Sequence, residues 1–152
     1  MKTILAGYDG THAAEHALTR VAELAHAFGS KVYVVSVSAP EPAAVPGAFG
    51  LMPYGYSPPV PDALDDELWQ QHRARVEAFF AGKNIPVEFV GVRGLPTEEI
   101  VELAEEHHAD LIVVGTREAG FLERLFAGSV SQGVARRAHC DVLIVHPPEQ
   151  QS

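Results

Sequence analysis

The residues best placed to do chemistry lie in the last third of the chain. There Val113-Val114-Gly115-Thr116-Arg117-Glu118-Ala119-Gly120 leads through residues 121 to 127 into Gly128-Ser129-Val130-Ser131. The apolar run ending at Gly115 predicts a strand, and the small residues from Gly128 predict the first turn of a helix. First-turn amides have no intrahelical acceptor. With small side chains and two hydroxyls beside them, they can cradle phosphate oxygens. Residues 115 to 140 hold four arginines (117, 124, 136, 137) against two glutamates (118, 123), a surplus of +2 in a chain of net charge -9. That surplus favours an anion site. The plainer reading is a glycine-punctuated turn that simply starts a helix.

Other constellations carry less. His12-Ala13-Ala14-Glu15-His16 matches the His-x-x-Glu-His pattern of inverted zinc peptidases, and a helix would put positions 12 and 16 on one face. It follows directly on the first strand, on the solvent side of its helix and with no third ligand apparent, so an ordinary surface helix is expected. His107-His108 reads as a helix C-terminal pair, where positive charge suits the dipole. Glu98, Glu99, Glu102, Glu105 and Glu106 alternate with Ile100, Val101, Leu103 and Ala104 as the wet face of an amphipathic helix. His139 and Cys140 are adjacent on the way into a strand and point to opposite faces, so a half-buried structural cysteine is expected rather than a nucleophile. The phosphate loop Gly-x-x-x-x-Gly-Lys-Ser/Thr and the dinucleotide fingerprint Gly-x-Gly-x-x-Gly are both absent. Without them a dedicated ATPase or dehydrogenase loses its main warrant, and the chain is not expected to be an enzyme.

The elements that must position these residues follow from periodicity. Strands are expected at Thr3 to Tyr8, Lys31 to Ser38, Val87 to Val92, Asp110 to Val114 and Val142 to Val145. Helices are expected at Thr11 to Phe28, 62 to 82, Thr97 to His107 and Gly128 to Ala138. The first helix puts Ala14, Ala17, Leu18, Val21, Leu24, Ala25 and Phe28 on one face, with Thr11 as N-cap and Gly29 as C-terminal stop. Asp62, Asp65, Asp66 and Glu67 open the second helix as its dipole favours. Strands separated by helices need crossovers, so the sheet should be parallel and covered on both faces: a doubly wound α/β fold with five strands. Such sheets bind ligands at the carboxyl ends of strands where the winding reverses, here after strands one, two and four.

The 152 residues make one domain of ordinary size, which needs neither disulfides nor a structural metal to stand alone. Cys140 is the single cysteine and has no partner to cross-link, which suits a reducing, cytoplasmic compartment. A charge of -9 opposes both nucleic acid and an anionic membrane surface, so neither is expected as a partner. The apolar run at the N-terminus is too short for an export signal before it meets Asp9. The longest stretch without formal charge, Pro42 to Pro61, contains six prolines and three glycines and cannot form a membrane-spanning helix. It lies within an excursion from 39 to 61 that carries seven prolines with Phe49, Tyr54 and Tyr56. That excursion is either a lid or arm toward a second subunit, or a solvated surface loop.

Taken together, the last-third motif resembles that of the universal stress protein family, whose nucleotide-binding members carry a glycine, two residues, a second glycine, nine residues, then Gly-Ser or Gly-Thr. Gly115, the nine residues 119 to 127 and Gly128-Ser129 fall on that spacing. The opening Gly7-Tyr8-Asp9-Gly10-Thr11 is similar to the family's first strand and turn, and Cys140-Asp141-Val142-Leu143-Ile144-Val145 to its closing strand. The likeness spans nearly the whole chain as a single-domain member. It implies strand order 3-2-1-4-5 and an adenine nucleotide (ATP, ADP or AMP, with Mg²⁺ through its phosphates) across the ends of strands one, two and four.

On that resemblance Gly7, Tyr8 and Asp9 face the ribose and base, and the backbone of Val37 meets the adenine edge. Val114, Gly115 and Arg117 line the ribose and phosphates, and Gly128, Ser129, Val130 and Ser131 hold the phosphates. Glu118 stands where the family motif has its second glycine. A carboxylate about 4 Å from a phosphate costs up to about 4 kcal/mol at an effective dielectric of about 20, unless it turns away or a cation intervenes. Gly120 could take over the turn, or Glu118 could share a Mg²⁺ with the phosphates. The family also implies a homodimer through the last strand, Val142 to His146, and a regulatory role in stress response. Two alternatives stand beside this: a dimeric signalling module that binds no nucleotide and meets protein partners through residues 39 to 61, and a slow ATP hydrolase using Asp9 or Glu118.

Overall fold

Among the described residues five apolar runs form strands and four segments between them form helices, strictly alternating along the chain. The computed structural model describes residues 1–38, 62–116 and 129–148. In chain order the elements are β1 (Thr3–Gly7), α1 (His12–Phe28), β2 (Lys31–Ser38), α2 (Asp62–Phe80), β3 (Val87–Arg93), α3 (Pro96–Glu106), β4 (Leu111–Gly115), α4 (Ser129–Arg137) and β5 (Asp141–Val145). The sheet order is β3-β2-β1-β4-β5 and every pairing is parallel. The excursion from 39 to 61 lies outside the described residues.

Local chemistry explains the helix ends. Thr11 takes extended backbone and its hydroxyl accepts from the Ala14 amide, capping α1, while Gly29 closes it with a left-handed φ of 64°. Pro96 opens α3 at a position whose missing N–H would have had no partner, one residue before the expected start at Thr97. β1 ends at Gly7 rather than Tyr8, and α2 ends at Phe80 rather than at Gly82, which adopts φ 75° beyond it. Phe28, expected on the buried face of α1, is 56% exposed. It is the last residue before the Gly29 cap, and the apolar stripe outruns the part of the helix that the sheet covers.

Successive strand residues point to opposite faces, which splits the core in two. Ile4, Ala6, Val32, Val34 and Val113 pack beneath α1 and α2 with Ala17, Leu18, Val21, Val76 and Phe80. Leu5, Val35, Ile112 and Val114 pack beneath α3 and α4 with Ile100, Leu103, Ala104 and Val134. Strands buried on both faces explain the unbroken apolar runs. The amino end of β1 is held by Asp110, whose carboxylate accepts from the amides of Lys2 at 2.7 Å and Thr3 at 3.0 Å. The winding reverses between β1 and β4, so their carboxyl ends open the crevice that fixes the site.

Candidate functional site at the carboxyl ends of the strands

The turn after β1 is built by its own side chains. The Asp9 carboxylate accepts from the Thr11 amide at 3.0 Å and from the Thr11 hydroxyl at 2.5 Å, and the Thr11 hydroxyl in turn accepts from Ala14 N at 3.2 Å. Asp9 is exposed at the strand end while its geometry is set from beneath. Tyr8 is 3% exposed, so only its main chain belongs to the crevice; its amide donates to Val35 O at 2.8 Å. Gly7 admits no side chain easily, since a Cβ there would lie 3.2 Å from Ile100 Cδ1 and 3.4 Å from a Val114 methyl.

Across the switch point, Val114 is a core residue and Gly115 a contact between elements. A Cβ on Gly115 would sit 2.8 Å from Ala13 O, so the first turn of α1 and the end of β4 meet backbone to backbone. The glycine that sequence alone assigned to a ligand is therefore also demanded by packing. Val37, near the end of β2, is half-buried and lies opposite Val92 of β3. Ser129 begins α4, Val130 is half-buried against the second core cluster, and Ser131 is 3% exposed. Arg117, Glu118 and Gly128 lie outside the described residues.

One expectation is corrected by the helix geometry. Arg136 and Arg137, counted toward the anion site, sit in the last turn of α4. Arg136 lies seven residues beyond Ser129, about 10 Å along the helix axis. Arg137 instead lies 3.5 Å from Glu98 of α3. Their charge favours the negative end of the helix dipole rather than a ligand at its start.

Three residues that sequence did not point to pack behind the turn after β1. Ser36 of β2 and His72 of α2 share a buried hydrogen bond of 2.6 Å between the serine hydroxyl and Nδ1. The Tyr8 ring meets the His72 ring edge-on at 5.2 Å, and the Tyr8 hydroxyl donates to Glu15 at 3.4 Å. Arg75 lies 3.8 Å from Glu15 and donates to Gly10 O at 3.4 Å. Burial holds the His72 imidazole below the usual histidine range; the Asp9 carboxylate opposes that shift and Arg75 adds to it. Burial likewise pushes the Tyr8 hydroxyl up. Serine, histidine and aspartate together suggest a nucleophile triad, but Ser36 is 1% exposed and no substrate carbonyl can reach its oxygen. The cluster is a support for the turn.

The remaining motifs resolve into surface and packing. His12 is exposed, Glu15 between the two histidines is taken by Tyr8 and Arg75, and among the described residues no group of three His, Cys, Asp or Glu is placed to hold a metal. His107 caps α3 and stacks on Tyr33 with ring centroids 4.1 Å apart. Cys140 is half-buried at a cavity of about 230 Å³ with Val101, Ala104, Ile112 and His139. Burial first, then Asp141 and Asp110, push its thiol up, the reverse of what a nucleophile needs. Glu105 and Glu98, expected only as wet-face residues, reach His139 and Arg137 and tie α3 to the end of α4. Among the described residues no helix is long and apolar enough to cross a membrane.

Comparison with known proteins agrees with this architecture. The universal stress protein of Methanocaldococcus jannaschii designated MJ0531 is 31% identical over 150 residues, 99% of this chain and 85% of its own. A universal stress protein from Thermus aquaticus, encoded 3' of a QAH/OAS sulfhydrylase, is 37% identical over 145 residues, covering 95% of this chain and 98% of its own. A crystal structure of a universal stress protein in complex with cAMP superposes with a TM-score of 0.65 at 31% identity, covering 96% of this chain and 97% of that one. The family model described as "Universal stress protein family" matches residues 1–146. With that match, the parallel 3-2-1-4-5 sheet and a crevice at its switch point, the chain belongs to the universal stress protein family.

Proposed function

We propose that this chain binds an adenine nucleotide, ATP or its products ADP and AMP, as a regulatory ligand in a stress response, at the carboxyl ends of β1, β2 and β4. The observation that carries the reading is the set of features at the carboxyl ends of β1, β2 and β4 and at the start of the helix that follows β4. These are the exposed Asp9 on its self-capped turn, the Val37 segment, the small Gly115 beside the α1 start, and the first turn of α4. The first turn of a helix offers unpaired amides to phosphate, and the switch point offers a crevice for the base. A family relative 31% identical to this chain has been solved with cAMP, which supports the adenine moiety. Arg117, Gly128, Ser129, Val130 and Ser131 are the proposed phosphate side of the site, with Mg²⁺ carried by the phosphates. The protein is proposed to act in the cytoplasm as a homodimer through Val142 to His146, by binding rather than by catalysis.

The test is direct. Freshly purified protein is denatured and the supernatant analysed for released nucleotide, then ATP is titrated with and without Mg²⁺ by thermal shift. A ligand at about 100 times its dissociation constant adds about 2.7 kcal/mol, a rise in melting temperature that is easily measured. No released nucleotide together with no shift at millimolar ATP would overturn the reading in favour of a partner-binding module. Free phosphate release under the same conditions should stay at the protein-free background.

A further inference from the structure

The Asp9-Gly10-Thr11 turn is shaped by a residue of another element. Gly10 has φ 78°, and a Cβ there would lie 2.7 Å from His72 Nε2, so the imidazole fills the space behind the turn. The other ring nitrogen is held by Ser36 at 2.6 Å, one ring edge is covered by Tyr8, and the residue is 6% exposed. The ring is held at Nδ1 by Ser36 and leaves no room for a side chain at Gly10, so the turn packs directly against it.

We propose that His72 is a positioning residue of the strand-end site: as a neutral wedge between Ser36 and Gly10 it sets the Asp9-Gly10-Thr11 turn in the form that receives the ligand, and adenine nucleotide binding weakens when it takes up a proton. The proposal rests on the reading that this turn faces the nucleotide. Among the described residues, His72 faces Asp9 and Tyr8 from the turn, Arg75 from its own helix and Ser36 from β2, with Glu15 of α1 behind them on Tyr8 and Arg75. A proton on the ring places a full charge in a buried site beside the Arg75 guanidinium. The anion that relieves it is Asp9, whose carboxylate is committed to the Thr11 amide and hydroxyl. Drawing Asp9 toward the ring loosens the α1 cap and withdraws the carboxylate proposed to meet the ribose. The sign follows: affinity is full where His72 is neutral and falls as pH drops through its titration.

The experiment uses cyclic AMP, whose single phosphodiester charge stays constant over this range, titrated calorimetrically from about pH 7.5 to about pH 5, so that the range extends below the ordinary histidine value as the burial of His72 requires. Wild-type affinity should fall as pH drops below the ordinary histidine range, reaching about tenfold once the pH is about one unit below the His72 midpoint. His72→Gln, neutral and similar in size, should bind within a few-fold of wild type at the upper pH and show a flat profile. A profile in His72→Gln as steep as in wild type would overturn the proposal. A second measurement needs no ligand: the Gly10 and Thr11 amide resonances should move with the midpoint of the His72 ring and cease to do so in His72→Gln. Static amides overturn the proposal whatever the site binds. Moving amides in a protein that binds neither cyclic AMP nor ATP support the positioning role and overturn only the nucleotide reading.

Discussion

Gly115 is demanded by packing and proposed to line the ligand, and substitution separates the two. Alanine there puts a carbon 2.8 Å from Ala13 O, a backbone atom that moves only with the whole first turn of α1. Gly115→Ala should therefore destabilise the ligand-free protein by about 1 to 3 kcal/mol, read as a lowered denaturant midpoint with no nucleotide present. A variant of full stability that only binds less tightly would show that packing does not need the glycine. Asp9→Ala should lower stability, because the carboxylate holds Thr11, and should also weaken nucleotide binding if Asp9 meets the ribose as proposed. Glu118→Gly restores the motif glycine. It should raise ATP affinity if the carboxylate repels phosphate, and lower it in Mg²⁺ if the carboxylate helps hold the ion. Measuring ATP affinity with and without Mg²⁺ decides between them.

At the scale of elements, two clamps fix where the crevice lies. Thr11 caps α1 through Ala14, so Thr11→Ala should cost about 1 kcal/mol in a chemical denaturation. Asp110 joins the loop before β4 to the start of β1 through two amides, and those bonds hold its carboxyl below the usual carboxylate range. A carboxyl with a depressed folded-state pKa contributes stability above its unfolded value and loses it as pH falls through the folded one. Asp110→Asn should accordingly melt below wild type at neutral pH, with the gap closing in strong acid. His72 runs to the opposite ionisation. Its lowered value penalises the charged ring, so it withdraws stability as pH falls from the ordinary histidine range toward the folded value. Acid melts of His72→Gln should lack that slope.

For the whole molecule, the sheet leaves β3 and β5 as edges, and β5 keeps Val142, Leu143 and Ile144 only half-buried. An apolar edge strand invites a second strand unless something covers it. Sedimentation should find a dimer at micromolar concentration, and Ile144→Lys should shift it toward monomer while circular dichroism stays native. A wild-type monomer over the same range would remove the proposed interface. The net charge of -9 opposes bulk association with nucleic acid or an anionic membrane surface, an expectation that composition alone carries. The local surplus in residues 115 to 140 loses part of its force, because two of its arginines sit at the far end of α4.

What neighbours in the chain can decide, the amino-acid order decided by itself. Thr11 and Gly29 bound α1 because capping acts over three or four residues, and Leu-Ile-Val-Val at 111 to 114 marks a strand buried on both faces. The five-stranded parallel sheet and the family followed from alternation and from the spacing around Gly115 and Gly128. Tertiary structure alone decided what meets through space. Ser36 and His72 are 36 residues apart and share a hydrogen bond only because α2 docks over β2. Gly115 touches Ala13, and Asp110 holds Lys2 and Thr3, only once β4 has paired with β1. Periodicity fixes which face of an element is apolar. It does not fix which residue of the facing element lies opposite, and that register, set by the packing of the whole sheet, places His72 behind the turn.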